Sequence, residues 1–299
     1  MSGLALHTIV VATDLSKNSA AALAWAEQLA KQHAALLVLV HAVGGDSFAA
    51  PPFVPLLREH HDEIRARLAT QLDRAAERAR RDGLKIECEL AVGSASGVVA
   101  AAVRRRHADL VVAGTRGRTS WNRLLLGSTA ARLVRNAGCP VLTIHPTDVG
   151  SPRPVRTVLV PTDFSEDAAL AADAAIGILG KPDRRLVLLH AYQIPPEATY
   201  LPAHIMRDAV SAVEAEARHT IEELAGKVRG TGIAVETVTC EGYAPQVILD
   251  QAKSIGADLI AMGTHGRFSI DRLFLGSTAE RVLASAPCPV LTVRRDPGE

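Results

Sequence analysis

Two stretches of this chain carry the same glycine pattern at the same spacing. Gly114-Thr115-Arg116-Gly117 leads to Gly127-Ser128-Thr129, and Gly263-Thr264-His265-Gly266 leads to Gly276-Ser277-Thr278, each landmark recurring 149 positions on (114 to 263, 127 to 276). Asp14 and Asp163, His41 and His190, Gly93 and Gly242, and Cys139 and Cys288 keep that offset. Between 114–145 and 263–294, 19 of 32 positions are identical. The loop is held although the apolar run before it changes from Val111-Val112-Ala113 to Ile260-Ala261-Met262. A period this long is no solenoid repeat, because each copy is large enough to bury its own core. The 299 residues therefore read as two copies of one domain, 1–146 and 154–299, joined by the short Pro-rich stretch Pro146 to Pro154.

Within each copy, short β-branched or apolar runs alternate with Ala-rich helical stretches. In the first copy the strands read as Thr8–Ala12, Ala35–His41, Lys85–Val92, Asp109–Ala113 and Pro140–Ile144. The helices read as Ser19–Gln32 (capped by Asp14 or Ser16), Leu56–Arg81, Ala95–His107 and Ser128–Asn136. The second copy repeats them. Its strands are Thr157–Pro161, Arg185–His190, Ala234–Cys240, Asp258–Met262 and Pro289–Val293, and its helices lie near Asp167–Leu179, Ala203–Arg229, Ala244–Ser254 and Ser277–Ala284. Such alternation implies right-handed crossovers, hence an α/β fold: two tandem doubly wound parallel sheets with helices on both faces. Ligands of such sheets sit beyond the carboxyl ends of the strands, where strand order reverses. Asp14 follows the first strand and Gly114 the fourth, so they share a crevice if those strands are neighbours.

The glycine segment suits a phosphate. Glycine permits close backbone approach, and the helix opening at Gly127-Ser128-Thr129 or Gly276-Ser277-Thr278 offers free N–H groups and a partial positive charge. Arg118 and Arg267 add charge-assisted donors. The bland alternative is a tight strand–helix connection that needs glycine for itself. The pattern is neither the GxxxxGK[ST] phosphate loop nor a GxGxxG after the first strand, which disfavours a nicotinamide or flavin dinucleotide.

Charge is balanced, 33 basic against 32 acidic residues, so generic attraction to nucleic acid or membrane is not expected. Arg104-Arg105-Arg106 reads as a solvated helix end. Four scattered cysteines without a CxxC pair point to reduced thiols. Neither a signal-like start nor a membrane-length apolar run is present, and a cytoplasmic location is expected. His41 and His190 read as structural histidines, and Cys139 and Cys288 as packing residues.

These residues resemble the universal stress protein superfamily in its tandem form. The resemblance rests on Val11-Ala12-Thr13-Asp14-Leu15-Ser16, His41, Gly93, the Gly114–Thr129 segment and Cys139-Pro140-Val141, with their counterparts Val160-Pro161-Thr162-Asp163-Phe164-Ser165, His190, Gly242, Gly263–Thr278 and Cys288-Pro289-Val290. It implies five strands per sheet in the order 3-2-1-4-5, and ATP, with Mg²⁺, as ligand. By that analogy Thr13 with Asp14, and Thr162 with Asp163, meet the adenosine or ribose. The backbone at Ala42 and Ala191 lines the adenine pocket. The phosphates fall to Gly114, Thr115, Arg116, Gly117, Arg118, Gly127, Ser128 and Thr129, and to Gly263, Thr264, His265, Gly266, Arg267, Gly276, Ser277 and Thr278. The resemblance also implies pairing of fifth strands, within the chain as a pseudo-dimer or between chains as a homodimer.

The copies differ where Arg116 faces His265, so the two sites need not be equal. The expected function is an ATP-binding regulatory protein of the stress response with little or no turnover. The alternatives are a slow nucleotide hydrolase or transferase using Asp163 and His265, and a partner-binding module that docks through the Pro51–Pro55 and Pro195–Pro202 loops over vestigial sites.

Overall fold

A computed structural model describes residues 4–44, 60–115, 126–145, 154–180, 184–194, 197, 200, 202–266 and 275–295. The chain forms two compact units. One is centred on β1 (Thr8–Ala12), α1 (Lys17–His33), β2 (Leu36–Val43), α2 (His61–Arg81), β3 (Ile86–Val92), α3 (Ala95–Arg106), β4 (Leu110–Gly114), α4 (Ser128–Asn136) and β5 (Val141–Ile144). The other is centred on β6 (Thr157–Pro161), α5 (Glu166–Leu179), β7 (Arg185–Tyr192), α6 (Ala203–Arg229), β8 (Ala234–Glu241), α7 (Ala244–Ser254), β9 (Leu259–Gly263), α8 (Ser277–Ser285) and β10 (Val290–Val293).

In the first unit the strands run β3-β2-β1-β4-β5 and every pair is parallel. The second unit has the same order, β8-β7-β6-β9-β10, again parallel. Successive residues of a strand face opposite sides of its sheet. Ile9, Val10 and Val11 are all fully buried, as are Val158, Leu159 and Val160. Both faces of each sheet are therefore covered, as parallel sheets require.

The central pairing is pinned by an acid at the same place in each repeat. Asp109 Oδ2 accepts the backbone N–H groups of His7 and Thr8 at 2.7 and 2.8 Å. Asp258 Oδ2 accepts those of Arg156 and Thr157, both at 2.9 Å. Each acid precedes the fourth strand of its unit and grips the start of the first, so β1 lies beside β4 and β6 beside β9. Strand order reverses at these seams, and a crevice opens at their carboxyl ends.

The first helix of each unit begins at the serine named by its motif. Ser16 Oγ accepts from Ser19 N–H, and Ser19 Oγ answers Ser16 N–H, a reciprocal capping box. Ser165 Oγ accepts from Ala168 N–H. Asp14 plays a different part from the cap. Its Oδ1 accepts Ser16 N–H at 3.0 Å and shapes the turn before the helix. The Arg104-Arg105-Arg106 cluster is met by carboxylates: Arg105 and Arg106 pair with Glu89, and Arg106 also with Glu87. No helix among the described residues is long and apolar enough to cross a membrane. The Pro51–Pro55 loop and most of Pro195–Pro202 lie outside the described residues.

Candidate functional site

In the second unit a cavity of about 400 Å³ opens at the carboxyl ends of β6 and β9. Its wall includes Thr162, Asp163, Ala191, Gly263, Thr264, His265, Gly266, Gly276, Ser277 and Thr278. These come from four separate stretches of sequence: the turn after β6, the end of β7, the loop after β9 and the start of α8. Arg267 lies outside the described residues. The remaining wall is largely apolar, from Pro161, Ala168, Leu189, Ala244, Ile248 and Met262.

The turn after β6 is held from three sides. Asp163 Oδ1 accepts Ser165 N–H at 3.1 Å, and Thr162 Oγ1 accepts Phe164 N–H at 3.0 Å. The Thr162 carbonyl accepts from His190 Nδ1 at 2.8 Å. A carbonyl can only accept, so this contact places the proton on Nδ1. His190 is thus a structural histidine that ties the end of β7 to the turn. Phe164 sits at φ 63°, and its first-copy counterpart Leu15 at φ 61°. A bulky residue held in the left-handed region costs about 1–3 kcal/mol and persists only where its surroundings impose it. Here the strain falls on the residue after the site carboxylate in both repeats.

The glycines divide by role. A Cβ on Gly263 would lie 2.7 Å from Asp167 Cβ and 2.9 Å from its carbonyl carbon, so this glycine admits α5 against β9. A Cβ on Gly276 would lie 2.8 Å from the Thr264 carbonyl oxygen, which accepts Gly276 N–H at 3.0 Å and closes the loop. The bland reading of glycine as a packing device therefore holds for these two. Gly266 is different. It is exposed, and among the described residues its missing Cβ would meet only the Asp163 carboxylate, at 2.6 Å from Oδ2. At Gly266 the bare backbone faces the cavity beside a carboxylate, which is the close approach a ligand needs.

The loop after β9 also carries a polar cluster. His265 Nδ1 lies 2.8 Å from Thr264 Oγ1 and 3.4 Å from Asp167 Oδ2. Asp167 Oδ1 accepts the Arg295 backbone N–H at 3.1 Å. The buried Nε2 of His265 has no hydrogen-bond partner among the described residues. Helix α8 starts at Gly276, which has no side chain to cap the first-turn N–H groups.

The first unit repeats this frame. The Thr13 carbonyl accepts from His41 Nδ1 at 2.7 Å, Asp14 closes the same turn, and Ala42 lies in β2. Gly114 ends β4, and the Thr115 carbonyl accepts Gly127 N–H at 2.8 Å. Ser128 and Thr129 open α4, again with glycine as cap. Arg116, Gly117 and Arg118 lie outside the described residues.

The model of the universal stress protein family matches residues 5–145 and again residues 154–294. The chain belongs to the universal stress protein family. A universal stress protein of Mycobacterium tuberculosis is 33% identical over 298 residues, covering 97% of each chain. One of Mycolicibacterium smegmatis is 28% identical over 298 residues, covering 96% of this chain and 97% of its own. The crystal structure of a universal stress protein from Archaeoglobus fulgidus superposes with a TM-score of 0.65 at 21% identity, covering 97% of this chain and 98% of that one, a likeness of fold. Membership of a universal stress protein family supports a role in the stress response.

For this universal stress protein, motif reading missed the apolar wall of the cavity and the acid that holds its polar loop from behind. The apolar wall comes from residues that look like any other core positions. Asp167 looks like an ordinary first-turn acid of a helix. The signal for Asp167 lay in comparing the copies, because Asn18 and Arg116 stand where Asp167 and His265 do. Cys139 carries no redox signature, since burial pushes its thiol up to about 12 and keeps it protonated. Among the described residues no group of three or more His, Cys, Asp or Glu is placed to hold a metal ion by itself.

Proposed function

We propose that the chain is a nucleotide-binding regulatory protein of the stress response, with ATP and Mg²⁺ as ligand, one site in each repeat, and little or no turnover. One observation carries this reading. The second unit's cavity joins an apolar wall, a carboxylate turn, an exposed glycine and an uncapped helix N-terminus in a single space of about 400 Å³. That volume lies within the range of about 300–1,000 Å³ usual for small-molecule sites.

The residues fit the parts of ATP. Ala168, Ala191, Leu189, Ile248 and Met262 offer the apolar surface a purine needs. Asp163 stands where a ribose hydroxyl finds an acceptor. The first-turn N–H groups of α8, with the Ser277 and Thr278 hydroxyls, suit phosphate oxygens. Magnesium held by phosphates needs only one or two protein carboxylates, so Asp163 suffices and no protein metal cage is required. Bound magnesium would neutralise phosphate charge.

We expect low turnover because two of the candidate groups are partly spent on the frame itself. Hydrolysis needs a group that orients or deprotonates water. Asp163 is engaged in its own turn through Ser165 N–H, and His190 spends Nδ1 on the Thr162 carbonyl. Calorimetry on nucleotide-stripped protein tests the proposal. Saturable heat and a rise in melting temperature with ATP are expected, from mass action on the folded state. No heat and no shift at millimolar ATP would reject it.

A further inference from the structure

The second unit has another cavity, of about 830 Å³, which the nucleotide reading does not use. Phe164, His190 and Tyr192 line it from the turn after β6 and the end of β7. Val213, Glu216, Ala217 and Glu223 line it from α6. Asp163 and Phe164 are neighbours in one turn, yet Asp163 lines the first cavity and Phe164 this one. The Phe164 and His190 rings lie against each other, their centroids 4.5 Å apart. His190 is tied by Nδ1 to the Thr162 carbonyl, so the aromatic pair is held in place before any ligand arrives.

The two repeats differ on this face in one chemical sense. The 149-residue offset runs through it, because the buried Leu72, Ala76 and Ala79 of α2 answer to the buried Ile221, Ala225 and Val228 of α6. In that register Glu216 and Glu223 stand where the first repeat has Arg67 and Arg74. Phe164 and Tyr192 stand where it has Leu15 and Val43, and Ala217 where it has Leu68. Guanidiniums are exchanged for carboxylates, aliphatic side chains for aromatic rings, and a leucine for an alanine that leaves room. Packing does not ask for this set, since α2 covers its own sheet with the aliphatic and basic one.

The charge around the cavity is one-sided. Among the described residues its wall contains no lysine or arginine. Of the basic residues nearby on α6, Arg218 pairs with Glu214 at 2.5 Å, and His219 lies 3.4 Å from Glu223. The Tyr192 phenol is pushed up, by burial first and then by the carboxylates of Glu214 and Glu241, against Arg218. Aromatic rings behind exposed carboxylates attract positive charge twice, through the ring quadrupole and through the ion pair. An anion is repelled by the same carboxylates.

We propose that this face of the second repeat binds an organic cation, an ammonium or guanidinium group carried on an apolar body. The rings of Phe164, His190 and Tyr192 take the apolar body and the charge next to it, and Glu216 and Glu223 supply the counter-charge at the rim. The volume lies within the range of about 300–1,000 Å³ usual for small-molecule sites. The site does not rest on the nucleotide reading, and the first repeat lacks it because Arg67 and Arg74 occupy the equivalent positions.

The test is calorimetry and ligand-observed NMR on the full chain with 2-phenylethylammonium, and with 2-phenylethanol as its uncharged counterpart. Saturable binding of the cation is expected below about 10 mM, with the alcohol about tenfold weaker. Each variant gives the second repeat the first repeat's residue, which the same frame already accommodates. Phe164→Leu with Tyr192→Val should weaken binding of the cation about tenfold. Glu216→Arg with Glu223→Arg should abolish it, while any heat of ATP binding stays as in the parent. No saturable binding of the cation at about 10 mM overturns the proposal. So does an alcohol that binds as well as the cation, or binding of the cation that either double variant leaves unchanged. Binding of a hexa-arginine peptide with neither small probe would put a basic protein partner on this face and overturn the small-ligand assignment.

Discussion

The two glycine loops share their frame and differ in what the frame holds. In both, the threonine after the first glycine sends its carbonyl to the second glycine's N–H, and a histidine from the second strand grips the turn after the first strand. Among the described residues, only the second repeat uses the threonine hydroxyl. Thr264 Oγ1 meets Asp167 and His265, whereas Thr115 Oγ1 is buried without a partner among the described residues. The first repeat spends its side chains elsewhere: Ser19, where the second repeat has Ala168, completes a capping box and accepts from Thr13 Oγ1 at 3.0 Å. Backbone closure of the loop is thus common property, and the side chains packed around that closure are chosen separately in each copy.

The largest effect expected from breaking this frame is Gly263→Val. The new Cβ meets helix backbone that cannot step aside, so a loss of about 3 kcal/mol is expected, or about 6–12 °C in melting temperature. A melt within 2 °C or so of the parent would show that α5 does not depend on the close approach. Next come Gly266→Val and Gly117→Val. At Gly266 the obstacle is the end of a side chain that can move, so the fold should tolerate the change while ligand access is lost. Each variant should lower ATP stoichiometry by one site, with affinity at that site down by about 100-fold, equivalent to about 2.7 kcal/mol. Unchanged stoichiometry in either would break the assignment of one site per repeat.

Much of this was legible because the chain states its plan twice. The parallel α/β alternation and the loop that opens α4 and α8 follow from periodicity and glycine spacing, strand order and the seam between the first and fourth strands came only through the family resemblance, and element ends moved by only a few residues. Leu36–Val43 extends two residues past His41, for example, because that strand keeps pairing with β3 to Val92. Three things were not legible. Leu15 and Phe164 adopt a left-handed conformation that neither residue type signals. Gly263 serves helix packing, which depends on a distance in space. Asp167 supports the cavity wall from behind, through a contact with Thr264 spanning 97 residues that no local pattern encodes.

The threonines give a sharper test of the comparison. Thr264→Val removes a hydroxyl with two partners and should cost about 1–2 kcal/mol. Thr115→Val replaces a buried hydroxyl that has none among the described residues, and should be neutral or stabilising by up to about 1 kcal/mol in ligand-free protein. Urea unfolding of the two variants side by side measures the difference. Equal losses would mean that Thr115 is engaged in solution as Thr264 is.

The smallest effect concerns a buried acid present in one repeat only. Glu27 of α1 is 4% exposed, and burial raises its carboxyl above the ordinary 4.5, opposed by Arg78 at 3.3 Å. The equivalent position in the second repeat is Ile176, also buried. A raised carboxyl value means that the folded state holds its proton more tightly than the unfolded state. The contribution to stability is full below about 4.5 and is lost as pH climbs through the folded value. Glu27→Ile removes a titration that works against the fold at neutral pH, and leaves Arg78, itself largely exposed, free to be solvated. Because replacing a buried ion pair by apolar packing is commonly neutral or favourable, a gain of about 1 kcal/mol is expected at pH 7, shrinking towards pH 4. Urea unfolding at the two pH values reads it directly. A variant less stable than the parent at pH 7, or a difference that does not widen from pH 4 to pH 7, would mean that the Arg78 pairing outweighs the cost of burying Glu27.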